Sequence, residues 1–306
     1  MNNVVKHILN WVRLARLPFH IAGILPFVLG SMIVLYITGD LNWAIFGWSI
    51  LGVEFILLTV HYSSEYSDYE VDSLSAKLGK NKFSGGSQIL QSGIIPRRNS
   101  LIAAFVCLIP AILVGLLLQF HYDTGLLTIP MGVIGLLMGL SYSAKPIRWA
   151  YRGFGELVIG LCYGWLTLAS AYYLQTGKTN AIIHLTAIPV ALSIFNVILI
   201  NEFPDYIADR EAGKNNLVVR FGRASMGKLY AVLCFAICIS YALAVVSGIP
   251  VIALPIFSPI ILLALKTAFQ VLKGGYKDSR KLEKICAKTL VINLCVSISL
   301  VLAILI

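Results

Sequence analysis

Apolar residues run through the chain in nine long blocks, at roughly 18–38, 43–63, 100–119, 125–143, 154–174, 184–203, 227–247, 249–270 and 287–306. Each approaches the ~20 residues that a helix needs to cross the hydrocarbon of a bilayer. The blocks are continuous, without the alternation of apolar and polar positions that membrane-spanning strands require. The pattern predicts an all-α, polytopic membrane protein of about nine transmembrane helices, forming one domain over residues 1–306. The first block follows Arg13 and Arg16 and reads as a first spanning helix rather than a cleavable signal.

The polar positions between the blocks also alternate. The connections at 39–42, 120–124, 175–183 and 247–249 are short and poor in charge, and those at 64–99, 144–153, 204–226 and 271–286 are longer and basic. With the amino-terminal segment, one side of the membrane collects 22 of the 24 Lys and Arg; Lys178 and Lys266 are the others. The positive-inside rule then places the amino terminus in the cytoplasm, the carboxyl terminus outside, and the protein in the cell membrane. The net charge of +10 thus reflects topology and anionic lipid, not nucleic acid. With 58% hydrophobic and 12% charged residues, the composition excludes an ordinary soluble domain. The six Cys lie in or beside apolar blocks without a Cys-x-x-Cys pair, and read as small buried residues rather than a metal site or disulfides.

Eight of the fourteen acidic residues fall in two similar stretches, SEYSDYEVD (64–72) and NEFPDYIAD (201–209) with the adjoining Glu211. Each lies at the cytoplasmic end of a block, and the two are four blocks apart, so they share one orientation. Gly79-Lys80-Asn81 follows the first and Gly213-Lys214-Asn215 the second. This predicts a parallel internal repeat with a cytoplasmic active site. Residues four apart share a helix face, so Asp68 and Asp72 project together with Ser64 one turn earlier. Asp205 and Asp209 do likewise after Asn201. A single pair is as well explained by a solvated acidic helix end; two matching pairs of repelling carboxylates are better explained by a cation. Oxygen donors without clustered His or thiolate point to Mg²⁺, which takes one or two carboxylates and completes its shell with water and phosphate oxygens.

The complementary charge comes from the same side. Lys77, Lys80 and Lys82 follow the first pair, and Lys214 and Arg220 the second. YSAKPIRWAYRGFGE (142–156) adds Tyr142, Lys145, Arg148 and Arg152, with Glu156 read as partnered by a nearby Arg. Each base also serves as a topological anchor, but cations near a leaving diphosphate stabilise its charge. Lys82, Tyr142, Lys145, Lys214 and Arg220 are therefore the diphosphate-binding candidates. Glu54, inside the second block, is either a buried neutral acid or part of a polar cavity. SGGSQILQSG (84–93) is a glycine-rich loop whose backbone can approach a phosphate or an acceptor, or is simply flexible.

Nine spans with two such motifs resemble the UbiA superfamily of intramembrane prenyltransferases over nearly the whole chain. The family's first motif reads N-x-x-x-D-x-x-x-D and its second D-x-x-x-D, often after Asn. Asp68, Asp72, Asp205, Asp209 and Asn201 match, while Ser64 stands in place of the first Asn. SGGSQIL, YSAKPIRWAYRGFGE and DREAGKNNLVVRFG most resemble the 1,4-dihydroxy-2-naphthoate branch of menaquinone synthesis. The resemblance implies Mg²⁺ on the four Asp, a polyprenyl diphosphate donor and an aromatic acceptor. It also implies an allylic cation flanked by such rings as Tyr69, Tyr142 and Tyr206, and carbon dioxide release from a dihydroxynaphthoate. Other members transfer to other aromatic rings or to a glycerol-phosphate lipid. A cation-coupled transporter is the reading from another class, although its site would lie near the membrane midplane. The pattern fixes neither oligomeric state nor prenyl length.

Overall fold

The computed structural model describes residues 3–78 and 81–306, so Gly79 and Lys80 of the first repeat lie outside the described residues. All regular structure among the described residues is helical: α1 (Asn3–Leu14), α2 (Leu17–Thr38), α3 (Trp43–Ser67), α4 (Tyr69–Leu78), α5 (Arg97–Leu116), α6 (Thr128–Ser143), α7 (Gly155–Ile159), α8 (Thr167–Thr176), α9 (Ala181–Glu211), α10 (Leu217–Val246), α11 (Ala253–Leu272) and α12 (Ser279–Leu305), with short 3-10 and π segments. A π segment, Gly160–Leu166, joins α7 and α8 into one rod, and another, Leu117–His121, extends α5. Eight of these rods are long and apolar enough to cross a membrane; α6, at 16 residues, is the shorter ninth apolar helix.

Two helices go beyond the nine apolar blocks. α1 is amphipathic, with Val5, Ile8, Leu9 and Val12 exposed. α4 carries too many polar residues to read as an apolar block, yet it holds Asp72. On the outside of the bundle, Phe105, Ile109, Leu113 and Leu116 form an exposed stripe along α5, and Val232, Phe235 and Ile239 do so on α10. Spacings of three and four put such residues on one helix face, where lipid rather than protein covers them.

α9 is the hub, packed against α10, α12, α4 and the α7–α8 rod. Small residues allow the closest approaches. A Cβ on Gly164 would stand 2.5 Å from Cα of Ala191, and one on Gly30 would stand 2.5 Å from the Leu168 carbonyl. Such contacts drive helix association where burial from water cannot. Pro204 lies inside α9, just before the second motif. Lacking an N–H, it cannot bond the carbonyl four residues earlier, that of Ile200. The Cys286 thiol of α12 donates to that carbonyl instead, at 3.7 Å.

Candidate active site

The two acidic stretches meet at one end of the bundle. α3 ends at Ser67 and α4 starts at Tyr69, so Asp68 caps the first helix and Asp72 lies in the second, rather than both in one. The Asp72 N–H still bonds the Asp68 carbonyl at 2.9 Å, which carries the helical turn across the break. Asp205 and Asp209 both lie within α9, which continues to Glu211, past the end of the apolar block. All four Asp, with Ser64 and Asn201, line a single cavity of about 190 Å³.

The helix end after the second motif explains how Lys214 enters it. Gly213 has φ +70°, its N–H bonds the Arg210 carbonyl at 3.2 Å, and the Lys214 N–H bonds the Asp209 carbonyl at 2.8 Å. This is the Schellman turn that a left-handed glycine permits, and it folds the chain back over its own last turn. Lys214 Nζ ends 3.5 Å from Asp209 Oδ1, with Asp209 buried and Lys214 partly buried. Burial alone would lower the lysine's affinity for its proton. The charges of Asp209, Asp68 and Glu202, with the Tyr142 phenol, outweigh it and hold Lys214 well above the ordinary lysine value. Asn216 completes this corner. Its Oδ1 caps α10 through the Val219 N–H at 2.8 Å, and its Nδ2 donates to Asp209 Oδ2 at 2.7 Å.

The first motif is more crowded with negative charge. Asp68 accepts hydrogen bonds from the Ser143 hydroxyl and, at 3.1 Å, from the Tyr151 phenol. Burial and the neighbouring Asp68 raise the Tyr151 phenol above its usual range, so it stays a donor. Asp72 is pushed well above the usual carboxylate range by burial, then by Asp68 and Glu65, against the opposing Arg16 and Lys214.

The loop 84–87 closes over these carboxylates. Its Gly85 N–H donates to Asp205 Oδ2 at 3.0 Å, and Ser87 donates to Glu65 through its N–H (2.9 Å) and hydroxyl (2.7 Å). Gly86, at φ +63°, lies so close to Asp72 that a Cβ there would stand 2.1 Å from Oδ2. The loop thus brings its backbone to anions, here the protein's own.

The candidate bases divide. Lys214 and Tyr142 line the cavity; Lys82, Lys145 and Arg220 do not. Lys82 is exposed and pairs with Glu283 at 3.2 Å. Lys145 is exposed, and Arg220 donates to the Arg152 carbonyl at 3.0 Å. Among the aromatic candidates only Tyr142 lines the cavity: Tyr69 lies beneath Arg97, and Tyr206 beneath Arg210 and Arg223. Glu156 has no Arg partner among the described residues; its Oε1 accepts the Leu217 N–H at 3.0 Å. Glu65 and Asn216 were missed as site residues. The Glu repeated in both stretches was the available signal for Glu65, and the helix-capping pattern for Asn216. Arg16, read only as an anchor, also lines the cavity.

An apolar cavity of about 260 Å³ lies alongside, between α2, α3, α5, α6 and the α7–α8 rod. Tyr163, in the π segment, lines both cavities. The π turn places it there: the Thr167 N–H bonds the Cys162 carbonyl five residues back, and the Thr167 hydroxyl shares that acceptor at 2.7 Å.

Among the described residues no three His, Cys, Asp or Glu side chains converge closely enough to hold a metal ion between them. The cluster is open and made of hard oxygen donors, among them Asn201 Oδ1, which is buried and accepts no hydrogen bond among the described residues. That set fits Mg²⁺, which keeps positions for water and phosphate, better than a cation that needs a complete protein shell.

A bundle of apolar helices with an anionic cavity at one end and an apolar cavity beside it defines an integral, multi-pass membrane protein. Residues 24–288 match the UbiA prenyltransferase family; the chain belongs to that family and is a prenyltransferase. It is 36% identical over 103 residues to UbiA prenyltransferase domain-containing protein 1 of Dictyostelium discoideum, covering 34% of this chain and 31% of that protein. It is 25% identical over 270 residues to 1,4-dihydroxy-2-naphthoate octaprenyltransferase of Bacillus subtilis, covering 87% of this chain and 82% of that one. A UbiA homologue from Archaeoglobus fulgidus, solved bound to GPP and Mg²⁺, shares the fold with TM-score 0.65 at 17% identity, over 97% of this chain and 100% of that one.

Proposed function

We propose that the chain transfers a polyprenyl group from a polyprenyl diphosphate to an aromatic acceptor of the 1,4-dihydroxy-2-naphthoate type. The reaction depends on Mg²⁺ and takes place at the cytoplasmic face of the cell membrane, with the amino terminus on that side. The observation that carries this reading is the meeting of both Asp pairs in one cavity that shares Tyr163 with an apolar cavity. One end of such a substrate is a hydrated anion and the other is lipid-like. The relative from Bacillus subtilis, aligned over most of both chains, supports the acceptor class.

Asp68, Asp72, Asp205 and Asp209, with Asn201 and Ser64, would hold Mg²⁺. A bound Mg²⁺ supplies Lewis-acid withdrawal of charge from a diphosphate. The chain's own residues supply the rest. Lys214 places a fixed positive charge against the departing diphosphate. Tyr142 and Tyr163 offer ring faces to the allylic cation. The buried wall keeps water from capturing that cation. The acceptor carbon attacks C1 of the prenyl group, the C1–O bond breaks toward diphosphate, and the attacked ring loses a proton or its carboxylate as carbon dioxide.

The test is turnover by the purified protein with a polyprenyl diphosphate and 1,4-dihydroxy-2-naphthoate, with and without Mg²⁺. A prenylated, decarboxylated naphthol formed only with Mg²⁺ is expected, and Asp68→Ala or Asp209→Ala should abolish it with normal membrane insertion. Near-normal turnover by either variant would overturn the metal assignment. Transfer only to a different acceptor would overturn the naphthoate assignment.

A further inference from the structure

Seven residues before Asp68, α3 carries His61, which no part of the reading above uses. The spacing of 61, 64, 65 and 68 puts His61, Ser64, Glu65 and Asp68 on one face of the helix. All four line the anionic cavity. At 1.5 Å per residue, His61 sits about 10 Å deeper along the axis than Asp68. It therefore lies about two turns beyond the end of the cavity where the carboxylates gather. Its Nε2 is buried and has no hydrogen-bond partner among the described residues. A buried polar nitrogen without a partner is costly, and here its ring lines the cavity.

The residues behind His61 are organised. The His20 ring stacks on it, with centroids 4.8 Å apart and planes at 18°. His20 Nε2 lies 2.8 Å from the Ala15 carbonyl, and His20 Nδ1 lies 2.8 Å from Glu54 Oε1. A carbonyl only accepts, so Nε2 of His20 carries a hydrogen. The two contacts hold both nitrogens of His20 and so lock the ring on which His61 rests.

We propose that His61 is the catalytic group that takes the proton of a ring hydroxyl on the aromatic acceptor, with His20 and Glu54 as positioning residues behind it. In the Nδ1–H tautomer, Nε2 of His61 keeps a free lone pair on a ring that lines the cavity. The hydroxyl proton passes to Nε2 as the ring carbon bonds to prenyl C1 and the C1–O pair leaves with diphosphate. The ring is then a dienone. Loss of a proton to diphosphate, or of carbon dioxide, from the substituted carbon returns an electron pair to the ring, and His61 gives its proton back to the oxygen. The assignment rests on the aromatic-acceptor reading, since a phenol is what such a base would activate.

The experiment compares wild type, His61→Gln and His61→Ala in detergent or liposomes, with donor and acceptor varied separately. General-base assistance is typically worth about 10²–10⁴-fold. A fall of that order in kcat for transfer is expected, with donor binding and thermal stability unchanged. The deficit should shrink for an acceptor whose hydroxyl is more acidic, and added imidazole should restore part of the His61→Ala rate. Glu54→Gln should lower kcat in wild type but not in His61→Gln, and Glu54→Asp should recover most of it. If wild type transfers the prenyl group while His61→Gln stays within about twofold, well short of a base's contribution, the assignment fails and the prenyl-transfer reading stands. If wild type transfers to no phenolic acceptor, the aromatic-acceptor reading fails first and takes this assignment with it. A loss of equal size for every acceptor, without imidazole rescue, would reduce His61 to a packing residue and overturn the proposal.

Discussion

The Ser75 hydroxyl on α4 donates a hydrogen bond to Oδ1 of Asp205 on α9, across 130 positions of sequence. The other oxygen of Asp205 accepts the Gly85 N–H. One carboxylate of the second motif is thus held by the helix and the loop that follow the first. The two acidic stretches are not independent ion sites that happen to face each other. One loop donates to both, through Gly85 to Asp205 and through Ser87 to Glu65.

Gly86→Ala tests how much the loop matters. At φ +63° an alanine is strained, and its Cβ would overlap Oδ2 of Asp72. A left-handed non-glycine residue costs about 1–2 kcal/mol before the overlap is counted, which corresponds to roughly tenfold or more in rate if the site bears it. Transfer should fall by at least that order. Gly93→Ala is the control, since its φ of +71° is comparable but nothing lies within 4 Å of the new Cβ. Steady-state rates of the two variants separate strain from displacement of Asp72.

Lys214→Met removes the cation that faces Asp209 inside the cavity. Breaking a buried pair from one side typically costs about 3–5 kcal/mol. The lysine's folded-state affinity for its proton is raised, so its contribution is fully present below the unfolded value of 10.5 and lost only as pH rises through the folded one. The destabilisation should therefore be constant between about pH 8 and pH 9. Thermal unfolding across that range checks it. Lys214→Met with Asp209→Asn should recover stability but not transfer.

The bases outside the cavity give the opposite expectation. Lys82→Ala, Lys145→Ala and Arg220→Ala should each change kcat/KM by less than about threefold, the scale of an exposed ion pair. Their failure to line the cavity marks the limit of what spacing conveys. The i, i+4 carboxylates and the Gly-Lys step of the second repeat were legible, because helix periodicity and a left-handed glycine act locally. The apolar blocks were legible for the same reason. Which lysine turns inward was not, since the positive-inside bias loads every loop on that side with cations. Nor was the Gly85–Asp205 bond, which depends on the packing of α4 on α9. α4 has no apolar run to announce it, and His61 is one of several polar residues inside an apolar block, whose meaning appears only with His20 and Glu54 beside it.

The last prediction concerns Mg²⁺ and pH together. Asp72 is held well above the usual carboxylate range by burial and by the negative charge of Asp68 and Glu65. Its ionised form is therefore a cost to the metal-free fold. With the folded value raised, that fold is best served below the unfolded value of 3.8, and stability is lost as pH rises through the folded one. A bound Mg²⁺ reverses the balance, because it takes the ionised carboxylate and must first displace the proton. The rise in unfolding temperature on adding Mg²⁺ should thus be small near pH 5 and grow toward pH 8. Asp72→Asn, which carries no proton to displace and no charge to relieve, should flatten that pH dependence. A Mg²⁺ effect of equal size at both ends of the range would show that the ion binds elsewhere, or that Asp72 is already ionised when it arrives.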